Sequence, residues 1–257
     1  MDPAWFEGPV DVSPASWKGG PDGVLAVHGF SGSPHSMRPW ARFLAERGYA
    51  VEMPRLPGHG TSPEDFRTTG WREWAAEVDQ AYFRLRSRCE RVAVAGLSMG
   101  GTLALHLAAR REVAALSLVN PAAAASPLLC LSGAVSHVVP TLKGLGDDIA
   151  MPGRTEGAYH QLPVAAASQL NLLLRQTRRS IRAVRCPVQI FRSRTDHIVP
   201  DSSLAFLERH LPQVPEVRWL ERSYHVATVD YDAPVIFEES QAFLSGAGLR
   251  TDSERTP

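Results

Sequence analysis

The sequence predicts an α/β fold, with a mainly parallel sheet, helices on both faces and a small insertion. Three observations predict it. Apolar runs rich in β-branched residues, such as Val24–Val27 and Val92–Ala95, alternate with segments of helical period. These runs are apolar at every position, as strands covered on both faces must be. The run Val92-Ala93-Val94-Ala95-Gly96-Leu97-Ser98-Met99-Gly100-Gly101 passes from strand pattern to helix former through one sharp turn.

The elements follow in order. Residues 1–20 are rich in Pro, Gly and Ser and predict a surface segment, with at most a short strand near Val10 to Val12. Val24 to His28 is a buried strand. Met37, Trp40, Phe43 and Leu44 recur at helical spacing within a helix from His35 to Arg47, which Gly48 ends. Tyr49 to Met53 is the next strand, and Pro54 to Gly60 the loop after it. Trp71 to Arg86 is amphipathic, with Trp71, Trp74, Val78, Tyr82 and Leu85 on one side. After the Ser98 turn and its helix, Ala115 to Val119 is a strand closed by Asn120-Pro121. The alternation then breaks. Residues 122–180 show no clear strand and one helix, Val164 to Arg178. It resumes with strands at Pro187 to Phe191 and Val217 to Leu220, and helices at Leu204 to His210 and Pro234 to Leu244. The expected organisation is one domain, residues 1–121 and 181–245, with 122–180 inserted as a cap and a disordered tail at 246–257.

Composition excludes several classes. Lys+Arg and Asp+Glu are both 27, so the basic excess of a nucleic-acid-binding surface is missing. No apolar run is long enough to span a bilayer. The first residues carry neither a basic nor an apolar region of a signal peptide, and the expected location is the cytoplasm. The odd, scattered cysteines Cys89, Cys130 and Cys186 read as free thiols. No metal-ligand spacing is present, and neither cofactor nor metal is expected. The expected assembly is a monomer or a weak homodimer.

The chemistry centres on Ser98. Gly96-x-Ser98-x-Gly100 between strand and helix holds the serine in a strained, exposed turn at a helix start. A serine hydroxyl needs a base, and the base an orienting acid. Asp196 and His225 lie in loops after the last two strands. The resulting order Ser, Asp, His suits a nucleophile carried on a strand-to-helix turn. His197 is adjacent to Asp196, and one loop would have to aim both. Asp201 precedes a helical pattern and reads as an N-cap. His106 reads as packing, His59 as a turn residue and His28 as a buried, hydrogen-bonded loop former. An oxyanion needs two donors: the N–H of Met99 and, from the loop after the first buried strand, that of Phe30. The Phe30 ring could also floor an acyl pocket.

Five stretches carry a resemblance. They are His28-Gly29-Phe30-Ser31-Gly32-Ser33-Pro34-His35-Ser36-Met37-Arg38-Pro39, Pro54-Arg55-Leu56-Pro57-Gly58-His59-Gly60, Gly96-Leu97-Ser98-Met99-Gly100-Gly101-Thr102, Asp196-His197-Ile198-Val199-Pro200 and Ser223-Tyr224-His225-Val226-Ala227-Thr228. The chain resembles the α/β-hydrolases of the bacterial carboxylesterase and monoacylglycerol lipase group almost end to end. The resemblance implies the triad Ser98, Asp196 and His225, the oxyanion donors Phe30 and Met99, and a cap over an apolar acyl tunnel. It further implies that Leu145 and Glu156 line the pocket for a glycerol head. The Ala122 to Ala125 run departs from the group's pattern. The expected activity is hydrolysis of small-molecule esters of medium or long acyl chains, monoacylglycerols foremost. An acyl thioesterase, or a non-catalytic ligand-binding protein of the same fold, remains an alternative.

Overall fold

The computed structural model describes residues 8–124, 141–144 and 147–252. Seven strands form the main sheet: β1 (Ala15–Trp17), β2 (Asp22–Val27), β3 (Ala50–Met53), β4 (Arg91–Leu97), β5 (Leu116–Val119), β8 (Val188–Ser193) and β9 (Glu216–Leu220). Their spatial order is β1-β3-β2-β4-β5-β8-β9, and every pairing but the antiparallel β1–β3 is parallel. Among the described residues seven α-helices accompany them: α1 (Arg38–Glu46), α2 (Pro63–Thr68), α3 (Trp71–Arg86), α4 (Met99–Ala108), α5 (Val164–Ser180), α6 (Ser202–His210) and α7 (Ala233–Gly246).

Strand side chains divide by parity between two cores. Leu25, Val27, Val92 and Val94 join the cluster of Trp74, Leu85, Leu103 and Leu173, while Val24, Ala26, Ala93 and Ala95 join that of Trp40, Phe43 and Phe237. Both faces of the sheet are therefore buried, which accounts for strands without a polar side. Strand order reverses between β2 and β4, where Val27, the last residue of β2, pairs with Gly96. In open parallel sheets the carboxyl edge at such a reversal is the usual ligand position.

Several local expectations are corrected. The N-terminal strand is Ala15–Trp17, not Val10 to Val12; it pairs with β3, and Ser16 Oγ donates to Glu52 at 2.7 Å. Helix α2 was not anticipated in the stretch after Gly60. Its signal is Ser62-Pro63, since Ser62 Oγ accepts from the Asp65 N–H at 3.1 Å and Pro63 suits the first turn. The insertion does hold strands, an antiparallel pair β6 (Thr141–Lys143) and β7 (Gln161–Pro163), each too short to show a period. Helix α5 buries Ala166 and Leu173 in the same core cluster as Trp74 and Leu103 and packs on α3 and α4. The tail does not fray at Gly246. Leu249 and Thr251 are buried, the Arg250 N–H donates to Asp22 at 2.7 Å, and the Asp252 N–H donates to Gly48 O at 3.3 Å. No helix among the described residues is long and apolar enough to cross a membrane.

Candidate active site

Ser98 occupies the turn between β4 and α4 with φ 55° and ψ −116°, a conformation costly for any residue with a side chain. The turn persists because its surroundings are glycine. A Cβ on Gly100 would sit 2.1 Å from the Val27 carbonyl oxygen, and one on Gly96 2.8 Å from the Gly100 backbone. The Ser98 N–H is held by Val119 O at 2.9 Å, and its carbonyl accepts from the Thr102 N–H at 3.2 Å. Only the side chain is left free to react.

The loop after β2 lies beside it. A Cβ on Gly29 would be 3.5 Å from Ser98 Cβ. The next N–H belongs to Phe30, and Met99 supplies the first N–H of α4. Among the described residues no acceptor is paired with either N–H. The Phe30 ring turns away into an aromatic cluster, 5.0 Å from Phe66 and 6.0 Å from Trp74 by ring centroids. His28 anchors this loop from below. Its Nε2 accepts from the Leu56 N–H at 3.2 Å, so its Nδ1 carries the proton and donates to Gly29 O at 2.9 Å. Burial lowers the His28 pKa to about 4 and keeps the ring neutral. His59 bonds locally to Pro57 O at 3.0 Å, and His106 packs edge-on against Trp71. All three histidines take the structural roles read from the sequence.

The acid and the base come from the loops after β8 and β9. His225 Nδ1 lies 3.0 Å from Asp196 Oδ1, off the straight line of an N–H···O bond. The Asp196 side chain is fully buried. Burial pushes its carboxyl up, but bonding and charge from His225, the Val199 N–H and Arg192 outweigh that and hold it below its ordinary range. Its Oδ1 also accepts from the Ile198 and Val199 N–H groups, both at 2.9 Å, and its Oδ2 from Arg192 Nη1 at 2.5 Å. Asp201 stands at the N-cap position of α6 without capping it. Its carboxylate turns instead to Arg192 Nη2 at 2.8 Å and is 90% exposed. His197 faces outward and meets Asp148.

Glu156 is buried in the part of the insertion between β6 and β7, its carboxyl against the loop after β2: a Cβ on Gly32 would be 2.7 Å from Glu156 Oε2. Burial, with Asp147 and Asp148 nearby, raises its pKa to about 8. Leu145 lies outside the described residues.

The sequence reading missed the support around His225. Asn120, fully buried at φ 44°, donates to His225 O at 2.8 Å and Ser193 Oγ at 2.9 Å, and accepts from the Ser193 N–H at 2.9 Å. Asp230 and Asp232 take N–H groups of the same loop. Asn120 at a strand end was visible only as a terminator; no local pattern announces its partners.

A strand-to-helix serine, unpaired N–H donors and a paired acid and histidine thus converge on one carboxyl edge. The sequence pattern of the Alpha/beta hydrolase family matches residues 24–238. The chain is an alpha/beta hydrolase. This alpha/beta hydrolase is 41% identical over 229 residues to the thermostable monoacylglycerol lipase of Bacillus sp. (strain H-257), covering 88% of this chain and 91% of that protein. It is 27% identical over 238 residues to a carboxylesterase of Bacillus subtilis (strain 168), covering 91% and 97%. A solved structure from work on LipS and LipT, two metagenome-derived lipolytic enzymes, superposes with a TM-score of 0.88 at 36% identity, covering 91% of this chain and 98% of that one.

Proposed function

We propose that this alpha/beta hydrolase is a serine carboxylic ester hydrolase whose preferred substrates are monoacylglycerols of medium or long acyl chain. The approach of His225 Nδ1 to Asp196 Oδ1, on the sheet edge that presents Ser98, carries the proposal. Its similarity to a monoacylglycerol lipase and a carboxylesterase supports it.

In this reading His225 Nε2 takes the Ser98 proton as Oγ attacks the ester carbonyl. The N–H groups of Phe30 and Met99 hold the oxyanion, where fixed dipoles need no reorganisation. Collapse breaks the acyl–oxygen bond, and the His225 proton leaves with the alcohol. Water, deprotonated by His225, then attacks the acyl-enzyme; the acyl–Oγ bond breaks, the His225 proton returns to Ser98 Oγ and the fatty acid leaves. Asp196 keeps the ring oriented and offsets its charge. Leu145 and Glu156 meet the glycerol head. A Glu156 carboxyl with a pKa of about 8 stays protonated at neutral pH, so it both donates to and accepts from glycerol hydroxyls.

The test is turnover across monoacylglycerols, diacylglycerols, simple alkyl esters and acyl-thioesters, with mass-spectrometric mapping of a phosphonate label. Highest kcat/KM on a monoacylglycerol and a label on Ser98 are expected. Faster turnover of the thioesters would replace the ester reading with the thioesterase one, and an unlabelled Ser98 would sink the serine mechanism.

A further inference from the structure

The loop that carries His225 has almost no regular structure, so its backbone N–H groups must find partners elsewhere. Each of the five from Arg222 to Val226 does. Those of Arg222 and Ser223 go to Asp232 Oδ2, at 2.9 and 2.8 Å. That of Tyr224 goes to Asp230 Oδ2 at 3.0 Å. The remaining two, on His225 itself and Val226, both go to Asp148: the first to its carboxylate at 3.2 Å, the second to its carbonyl at 3.1 Å. Asp230 and Asp232 belong to the stretch just beyond this loop. Asp148 belongs to the return segment within the insertion, between β6 and β7, 77 residues away in sequence.

The same Asp148 carboxylate holds the acid loop. It accepts the His197 N–H at 3.2 Å and contacts His197 Nδ1 at 2.7 Å. His197 is the neighbour of Asp196. One side chain, only 10% exposed, therefore fixes the backbone on which the base sits against the backbone on which its acid sits. The return segment is itself pinned, since Asp230 also accepts the Ala150 and Met151 N–H groups, at 2.7 and 3.0 Å.

We infer that Asp148 is a positioning residue that sets the His225 ring against Asp196 and Ser98, through the His225 N–H and the His197 backbone. This rests on the proposed role of the triad. The Ser98–His225 proton transfer depends steeply on distance, and a shift near 1 Å in such a group costs about a hundredfold. Asp148 touches neither substrate nor reacting atoms in this account. On an ester of a simple alcohol, which makes no use of Glu156, its loss should lower kcat and leave KM unchanged.

The experiment compares wild type, Asp148→Ala and Asp148→Asn on a soluble short-chain p-nitrophenyl ester, with active sites counted by phosphonate titration. Asp148→Ala should lose about a hundredfold in kcat per titrated site. Asp148→Asn should lose about tenfold, because its amide oxygen can still accept both N–H groups while the charge is gone. A purely structural role would lower the Tm and the number of titratable sites, and leave kcat per site at the wild-type value; that result overturns the inference. If Asp148→Ala does not fold, Asp148→Asn decides: wild-type kcat per site in that variant overturns it equally. Failure of the triad reading is distinct, since wild type would then take no label on Ser98.

Discussion

Arg192 donates to Asp196 at 2.5 Å from one guanidinium nitrogen while its other terminal nitrogen holds Asp201 at 2.8 Å. The two aspartates share one cation, yet only Asp196 reaches His225. Asp196→Asn should therefore lower kcat by about ten-thousandfold, the size seen when the acid of another serine triad is neutralised. Asp201→Asn should stay within about threefold, because its exposed carboxylate contributes little through a screened contact. Ser98→Ala or His225→Ala should cost about a millionfold. Steady-state kinetics on one ester rank the four variants. A greater loss in Asp201→Asn than in Asp196→Asn would reverse the acid assignment.

Glu156 bears on alcohol specificity. As a neutral acid it would make ordinary hydrogen bonds to glycerol, each contributing about 1 kcal/mol. Glu156→Ala should lose about tenfold in kcat/KM on a monoacylglycerol and spare the methyl ester of the same acid. Glu156→Gln retains a donor and an acceptor and should keep the preference. Equal losses on both esters would show that Glu156 only supports its segment.

The same carboxyl makes stability depend on pH. Its pKa is about 8 in the folded chain against an ordinary 4.5. Between those values the unfolded chain has released the proton that the folded chain keeps, so stability falls as pH rises through the window. Glu156→Gln removes the effect. Its Tm advantage over wild type should grow from near zero at about pH 5 to its largest value at about pH 8, as thermal denaturation in a series of buffers would reveal. Parallel Tm curves would mean that the buried carboxyl is ionised throughout.

Asn120 carries the core side of the His225 loop. Asn120→Ala would leave the Ser193 N–H and the His225 carbonyl without their partner in a buried site. The expected cost is about 1–3 kcal/mol of stability, with a fall in kcat because the His225 carbonyl is released. Asn120→Asp should be worse, since a carboxylate would face the Tyr224 and His225 carbonyls. Urea denaturation would measure the first effect; a midpoint unchanged in both variants would contradict the network.

The strands, the Ser98 turn and the order Ser98, Asp196, His225 were legible in the sequence because each is written locally. A buried parallel strand shows as an unbroken apolar run, and a tight turn under a helix shows as glycines around its serine. Short or capped pieces were less legible: β6 and β7 have three residues each, and α2 is announced only by its cap. The sequence preferred Asp196 and read Asp201 as an N-cap; the packing adds that one carboxylate is buried against His225 and the other exposed.

The sequence by itself determined which residue types stand at the ends of which strands, since periodicity and turn chemistry act over a few neighbours. The tertiary structure alone decided how those ends are held. No local pattern in the sequence announces the partners of Asp148, Asn120, Asp230 and Asp232. They became supports of His225 because an irregular loop leaves its N–H and carbonyl groups unpaired, and burial demands a partner for each. For the His225 N–H that partner stands 77 residues away. Such distant pairings leave no periodic trace in the chain; they exist only once the sheet brings the loops to one edge.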